Sequence, residues 1–212
     1  AFISGGTYFL VLDVSNPDNI VTLSNTSLTS DNGRKIEIAG NYAYISTGGR
    51  LDVYDITNLA SPSLLSSHNL PSSSVRDILE YEGVLYVGTG SGVVTIDISN
   101  PLDLADFDSI STNPSSLFAE GDLLYIGLYS GGLSIIDISN VSDLRLLNSL
   151  TTYGLGNERK IVKAGGLFYL LERGHAVYVL DIPDSSHIRI IGMLGEFKYP
   201  YSMSIAGNIF YI

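Results

Sequence analysis

Cysteine is absent from the chain. That excludes disulfides, zinc-thiolate sites and cysteine nucleophiles together, and it leaves the redox compartment open. Basic residues are scarce: 11 Lys and Arg stand against 22 Asp and Glu, for a formal net charge of -11 at pH 7. A surface of that sign cannot neutralise a phosphate backbone, so nucleic acid is not an expected partner. Long apolar runs are missing too. No stretch approaches the roughly 18 residues that a membrane-spanning helix needs, and no membrane span is expected in this segment. The chain opens on "AFIS", which reads as a strand, without an initiator Met or a signal peptide. The expectation is that a targeting segment has been removed or lies upstream. Apolar residues make up 45% of the 212 positions, enough to bury a sizeable core in one compact domain or in part of a larger one.

Those apolar residues recur in phase. Asp13, Asp55, Asp97, Asp137 and Asp181, each closing an apolar strand, are separated by 42, 42, 40 and 44 residues. A second series keeps step with them: Phe2, Tyr44, Tyr86, Tyr125, Tyr169 and Tyr211. One period contains four short strand-like runs, such as "KIEIAG", "NYAYIS", "RLDVYDI" and "SPSLLSSHNL", parted by Gly, Asn, Ser and Pro. With turn signals at that spacing and no helical periodicity between them, each repeat is predicted to be a four-stranded antiparallel meander.

The third run of each repeat is apolar on both faces, as in Leu51 and Val53 on one set of steps and Val94 and Ile96 or Tyr178 and Leu180 on the other. A sheet covered on both sides, recurring at this period, is the signature of a propeller blade. The predicted fold class is all-β, a β-propeller of four-stranded antiparallel blades. Its parts are a partial blade over 1–28, blades over 29–70, 71–111, 112–152 and 153–195, and a partial blade over 196–212. A β-sandwich is the alternative, but it would lack the fixed period. The tyrosine-type strand occurs six times in five periods, so about five repeats are expected to belong to a ring of roughly six to eight blades.

After each turn aspartate, a Ser, Thr or Pro follows at the second position (Ser15, Thr57, Ser99, Ser139, Pro183) and Asn or Asp at the third (Asn16, Asn58, Asn100, Asn140, Asp184). Short polar side chains there accept backbone N–H groups one or two residues on, so Asp13, Asp55, Asp97, Asp137 and Asp181 are read as structural turn residues. The outer strand then begins near Ile20, Pro62, Leu104, Leu144 or Ile188, and a further core anchor is expected at Leu23, Leu65, Phe107, Leu147 and Ile191. The segments "LDVSNP", "IDISNP" and "IDISN", each behind a "GNYAYIS"-like strand, resemble the LVIVD repeat family, at one copy per period. The resemblance implies a propeller in a secreted or surface-attached protein, mainly prokaryotic, and carries no common catalytic residues. The fifth copy, "LDIPDSSH", departs most.

Candidates for chemistry are few. His68, His175 and His187 fall at different phases of the repeat, so they are not expected to converge on one metal or nucleophile. No hydrolase, zincin or phosphate-loop motif is present. The pairs Asp13 with Asp18, Asp97 with Asp103, and Asp137 with Asp143 raise calcium, but turn fastening explains the first acid of each pair, and the spacing is not that of an EF-hand. No cofactor is expected, and no catalytic or metal-ligating residue is assigned. Ten residues before each tyrosine stand Arg34, Arg76, Ser115, Arg159 and Tyr201 (the Arg34-to-Tyr44 spacing), at the head of the first strand. That strand lines the channel of a propeller, so these five are the candidate ligand-binding residues at a channel mouth, suited to a carboxylate, a sulfate or an acidic sugar. The competing reading pairs each arginine with an acid such as Asp77 and gives it a structural role.

Two sequons, at Asn25 and Asn140, and the aromatics Tyr153, Phe197, Tyr199 and Tyr201 near inter-blade connections complete the inventory. The functional expectation is a non-enzymatic extracellular or cell-surface scaffold for a protein or glycan partner. A polysaccharide hydrolase or lyase acting at a channel mouth is the alternative. Outer-edge strands also suit an oligomer or surface array.

Overall fold

A computed structural model describes residues 1–29, 33–152, 159–172, 174, 176–195, 197, 202–207 and 209–212, with the side chains of Arg34 and Arg159 outside that description. The first sheet has three strands: β1 (Phe2–Gly5), β2 (Tyr8–Asp13) and β3 (Val21–Ser27). The second has β4 (Gly33–Ala39), β5 (Tyr42–Thr47), β6 (Arg50–Asp55) and β7 (Ser63–Asn69). The third has β8 (Val75–Tyr81), β9 (Val84–Thr89), β10 (Gly92–Asp97) and β11 (Ala105–Ile110). The fourth has β12 (Pro114–Glu120), β13 (Leu123–Leu128), β14 (Leu133–Asp137) and β15 (Arg145–Leu150). The fifth has β16 (Arg159–Ala164), β17 (Leu167–Glu172), β18 (Val177–Asp184) and β19 (His187–Leu194), and a final pair joins β20 (Ser204–Ala206) to β21 (Ile209–Tyr211). No helix is long and apolar enough to cross a membrane among the described residues.

The chain divides into two compact units, Ala1–Phe107 and Asp108–Ile212. In the first, the pleat of β6 sends alternate side chains to opposite neighbours. Tyr54 joins Phe9, Val11, Ala43 and Ile45 on the side of the first sheet. Leu51 and Val53 join Ile78, Leu85, Val87, Val94 and Ile96 on the side of the third. In the second unit, Tyr125, Leu133 and Ile135 pack on Ile161, Phe168, Leu170 and Leu180, with the Tyr125 and Phe168 rings 4.4 Å apart. Each large apolar side chain buried this way contributes about 2 kcal/mol before the entropy of ordering it is subtracted. Burial also pushes the Tyr44 and Tyr86 hydroxyls up to about 12. The second to fifth sheets are four-stranded antiparallel propeller blades, and the fold is all-β.

The expected anchors in the outer strands need correction. In β3, β7, β15 and β19 the ladder to the third strand skips one residue, and the skipped residues are Leu23, Leu65, Leu147 and Ile191. A β-bulge places an extra residue there and turns its side chain away from the regular alternation. Leu23 is 38% exposed, Leu147 43% and Ile191 54%, and Phe107, at the matching phase, is 37% exposed. These four lie on the outer edge, outside the core, whereas Leu65 is half-buried.

Candidate functional site

Each sheet has two ends. At one, the third strand gives way to the outer strand through the turn that the recurring aspartate closes. Ser15 N donates to Asp13 Oδ1 at 2.9 Å, Thr57 N to Asp55 at 2.8 Å, Ser99 N to Asp97 at 2.8 Å and Ser139 N to Asp137 at 3.0 Å. The Thr57 and Ser139 hydroxyls add bonds of 2.7 Å to the same acceptors. The asparagine three residues on closes a second turn, accepting Asp18, Ala60, Leu102 and Ser142 N–H groups at 3.1 to 3.2 Å. Bonds from the hydroxyl and then the N–H of residue 57 or 139 hold the Asp55 and Asp137 carboxyls below the ordinary carboxylate value, and the N–H of Ser15 or Ser99 leads in doing so for Asp13 and Asp97.

The fifth sheet differs, and its sequence gives the reason. Two residues after Asp181 stands Pro183, which has no N–H to donate. Strand β18 therefore runs on to Asp184, whose Oδ1 accepts Ser186 N at 2.8 Å and lies 2.8 Å from His187 Nδ1. Asp181 lies inside the strand, opposite Arg189, 3.9 Å from its guanidinium. It is not the turn residue of its sheet.

The other end, where the first strand begins and the second turns into the third, is called here the head end. Sequence reasoning placed its candidates there, and the ladders show what is distinctive about them. Between Val75 and Asp77 the register to β9 shifts, so Arg76 is an inserted residue; Ser115 is inserted in the same way between Pro114 and Ser116 in β12. In β4 the register shifts between Gly33 and Ile36, where Arg34 and Lys35 stand. Bulges of this kind re-aim side chains at the rims of β-structures. Arg159 heads β16 without such a shift, in register with Glu172. The side chains of Arg34 and Arg159, and all of Tyr201, lie outside the described residues, as do His175, Tyr153 and Tyr199. Arg76 and Ser115 are half-buried. Lys35 Nζ lies 3.7 Å from Asp77 Oδ1.

Two head-end residues escaped sequence reasoning. Asp52 in β6 is fully buried. Its Oδ1 accepts Ser67 Oγ at 2.6 Å, and its Oδ2 accepts Thr47 Oγ1 at 2.8 Å, Arg50 Nη2 at 3.3 Å and the Thr29 hydroxyl. Arg50 Nη2 also donates to Thr29 Oγ1 at 2.7 Å. Glu172 in β17 is fully buried as well; its Oε1 accepts Gly132 N at 3.2 Å and the Thr152 hydroxyl, tying β17 to the hairpin of the fourth sheet. The signal that marks both is a break in the repeat. Where Asp52 stands, the sister strands carry Leu10, Val94, Ser134 and Tyr178; where Glu172 stands, they carry Thr47, Thr89 and Leu128.

The described histidines stay apart. His68 lies in β7, 2.8 Å from Asp106, and His187 lies in β19 beside Asp184. Among the described residues no group of three or more His, Cys, Asp or Glu side chains is placed to hold a metal ion.

No curated protein matches the chain in sequence. Solved structures match in fold. A functionally unknown protein from Desulfotomaculum acetoxidans is 15% identical with a TM-score of 0.71, the match covering 90% of this chain and 64% of that one. The Pseudomonas aeruginosa periplasmic gluconolactonase is 14% identical with a TM-score of 0.74, covering 93% and 66%. A protein from Lactobacillus plantarum is 13% identical with a TM-score of 0.77, covering 95% and 68%. The chain thus spans about two thirds of the length of these proteins. The family model described as the LVIVD repeat matches residues 1–27, 32–69, 73–109 and 111–152, more than half of the chain. With that match over sheets whose turns close on the same Asp-x-Ser/Thr-Asn segment, the chain belongs to the LVIVD repeat family.

Proposed function

We propose that the chain is a non-enzymatic interaction scaffold, extracellular or attached to the cell surface, that presents its sheet ends to a protein or glycan partner. One observation carries the reading. The recurring aspartates of the first four sheets close turns inside their own sheets, while the described histidines stand on outer strands beside single carboxylates. A general acid–base or nucleophilic site needs such groups to converge. Binding to a glycan array, run with and without calcium, tests the proposal. The expected result is saturable binding without turnover and without a calcium requirement. Release of a cleaved product would overturn it. Protease shaving of intact cells checks the location, and a chain that resists shaving until lysis contradicts a surface position.

A second reading has a specific motive. The fold is shared with a protein named a periplasmic gluconolactonase, and Asp52 is a buried acid outside the repeat pattern, which is where functional carboxylates are often found. A polysaccharide hydrolase or lyase acting at a channel mouth remains the enzymatic alternative. Assays for lactone opening and polysaccharide depolymerisation separate the two, since the scaffold reading expects neither.

A further inference from the structure

We propose that Asp52, Asp106 and Glu172, three acids outside the repeat pattern, act as addresses that fix which sheet packs against which as the chain assembles.

Apolar burial alone does not make that choice, because the seams inside each unit are filled alike. Phe9 and Val11 of the first sheet meet Tyr54 of the second. Leu51 and Val53 of the second meet Val94 and Ile96 of the third, at the same phases, and Leu133 and Ile135 of the fourth meet Tyr178 and Leu180 of the fifth. Burial of this kind is non-directional and tolerates exchange of one apolar side chain for another. A sheet set against the wrong neighbour would bury nearly as much, and repeat proteins fail in this way, by misassembly and domain swapping.

The polar ties differ from seam to seam. Between the first and second sheets, Asp52 Oδ2 accepts the hydroxyl of Thr29, in the chain leaving β3, and Arg50 Nη2 donates to the same Thr29 oxygen at 2.7 Å. Between the second and third, Asp106 Oδ1 of β11 lies 2.8 Å from His68 Nε2 of β7. Between the fourth and fifth, Glu172 Oε1 accepts Gly132 N at 3.2 Å and the hydroxyl of Thr152, in the chain leaving β15. Each acid takes a partner from the sheet before its own, whereas the turn aspartates of the first four sheets bond inside theirs.

None of the three acids recurs. The sisters of Asp106 are Thr22, Leu64, Leu146 and Ile190, and those of His68 are Thr26, Ile110, Leu150 and Leu194. Two residues that each break the repeat at their own phase thus meet across one seam. The threonines do recur: Thr112 stands two residues beyond β11, as Thr29 and Thr152 stand beyond β3 and β15. The sheet after Thr112 carries Ser134 and Leu128 at the phases of Asp52 and Glu172, and the buried Thr112 hydroxyl has no hydrogen-bond partner among the described residues. A donor common to several junctions is selected by an acid that only some sheets carry. Burying a carboxylate costs several kcal/mol unless its partners compensate, so such an acid contributes less to stability than to the choice of neighbour.

The test is refolding of the full chain from urea. Size-exclusion chromatography and hydrogen exchange separate native monomer from misassembled chain, and equilibrium urea unfolding measures stability. In one variant each acid takes a sister residue: Asp52→Ser, Asp106→Thr and Glu172→Thr. Its urea midpoint is expected to hold or rise, while the misassembled fraction rises about tenfold, the change that losing one such discrimination brings. Thr112→Val, at a junction without a tie, should refold as faithfully as the parent. Faithful refolding of the triple variant would overturn the proposal, and so would a loss of native monomer that merely follows a lowered midpoint. If the triple variant does not fold, a charge exchange carries the test. His68→Asp should misassemble, and His68→Asp combined with Asp106→His should recover; a double variant no better than the single would overturn the proposal.

Discussion

At the scale of single residues, the molecule shows where one side chain sets a local conformation. The turn between β8 and β9 holds Glu82 at φ 52°, where the equivalent turns place Gly40, Gly121 and Gly165 at φ 54° to 58°. A residue with a Cβ is strained in that region, so Glu82→Gly should raise stability by about 1 kcal/mol, read as a higher urea midpoint at unchanged slope. The turn aspartates make a second prediction. Folding depresses the Asp13, Asp55, Asp97 and Asp137 carboxyls below their ordinary value of 3.8. Such groups bind protons less readily in the native state than in the unfolded one. Their stabilisation is complete above the unfolded value and is lost as pH falls through the native value. Stability should therefore drop below about pH 4, and the fourfold Asp→Asn variant, which keeps the acceptor oxygens, should flatten that drop. An unchanged acid limb would assign it to other carboxylates.

At the scale of strands and hairpins, close approach is the governing constraint. Gly132, at φ 100°, sits so near the chain leaving β15 that a Cβ would fall 1.9 Å from the Leu150 carbonyl oxygen. Gly132→Ala is expected to cost more than about 3 kcal/mol, because neither the backbone oxygen nor the positive φ can yield cheaply. The same scale explains what was readable in the sequence. Strand type, strand order within a sheet and the Asp-Ser-Asn turns were legible because they recur with the period. The outer-strand anchors were not, because a bulge inserts a residue and inverts the two-residue alternation beyond it, so counting by phase assigned Leu23, Leu147 and Ile191 to the wrong side. The failed turn at Asp181 was legible in Pro183, once the missing N–H is considered. Asp52 and Glu172 lay hidden for the opposite reason: attention to what repeats passes over what does not, and burial of an acid depends on partners 15 to 40 residues away.

At the scale of the whole molecule, the outer edge is the exposed apolar surface to account for. Strand β19 departs from its sisters: where they carry Asn25, Ser67, Ser109 and Ser149, it carries Met193, 57% exposed, beside exposed Ile190, Ile191 and Leu194. An apolar edge strand pairs readily with other chains unless a bulge or a charge deters it. Ile191→Lys should reduce concentration-dependent association in sedimentation velocity, and equal association by both chains would move the contact elsewhere. The ladders have one more consequence. Every described pairing joins strands adjacent in the chain, so only short loops need close before a sheet exists, which favours rapid folding for an all-β topology. Within each unit, order is therefore expected to spread from one completed sheet to the next along the chain.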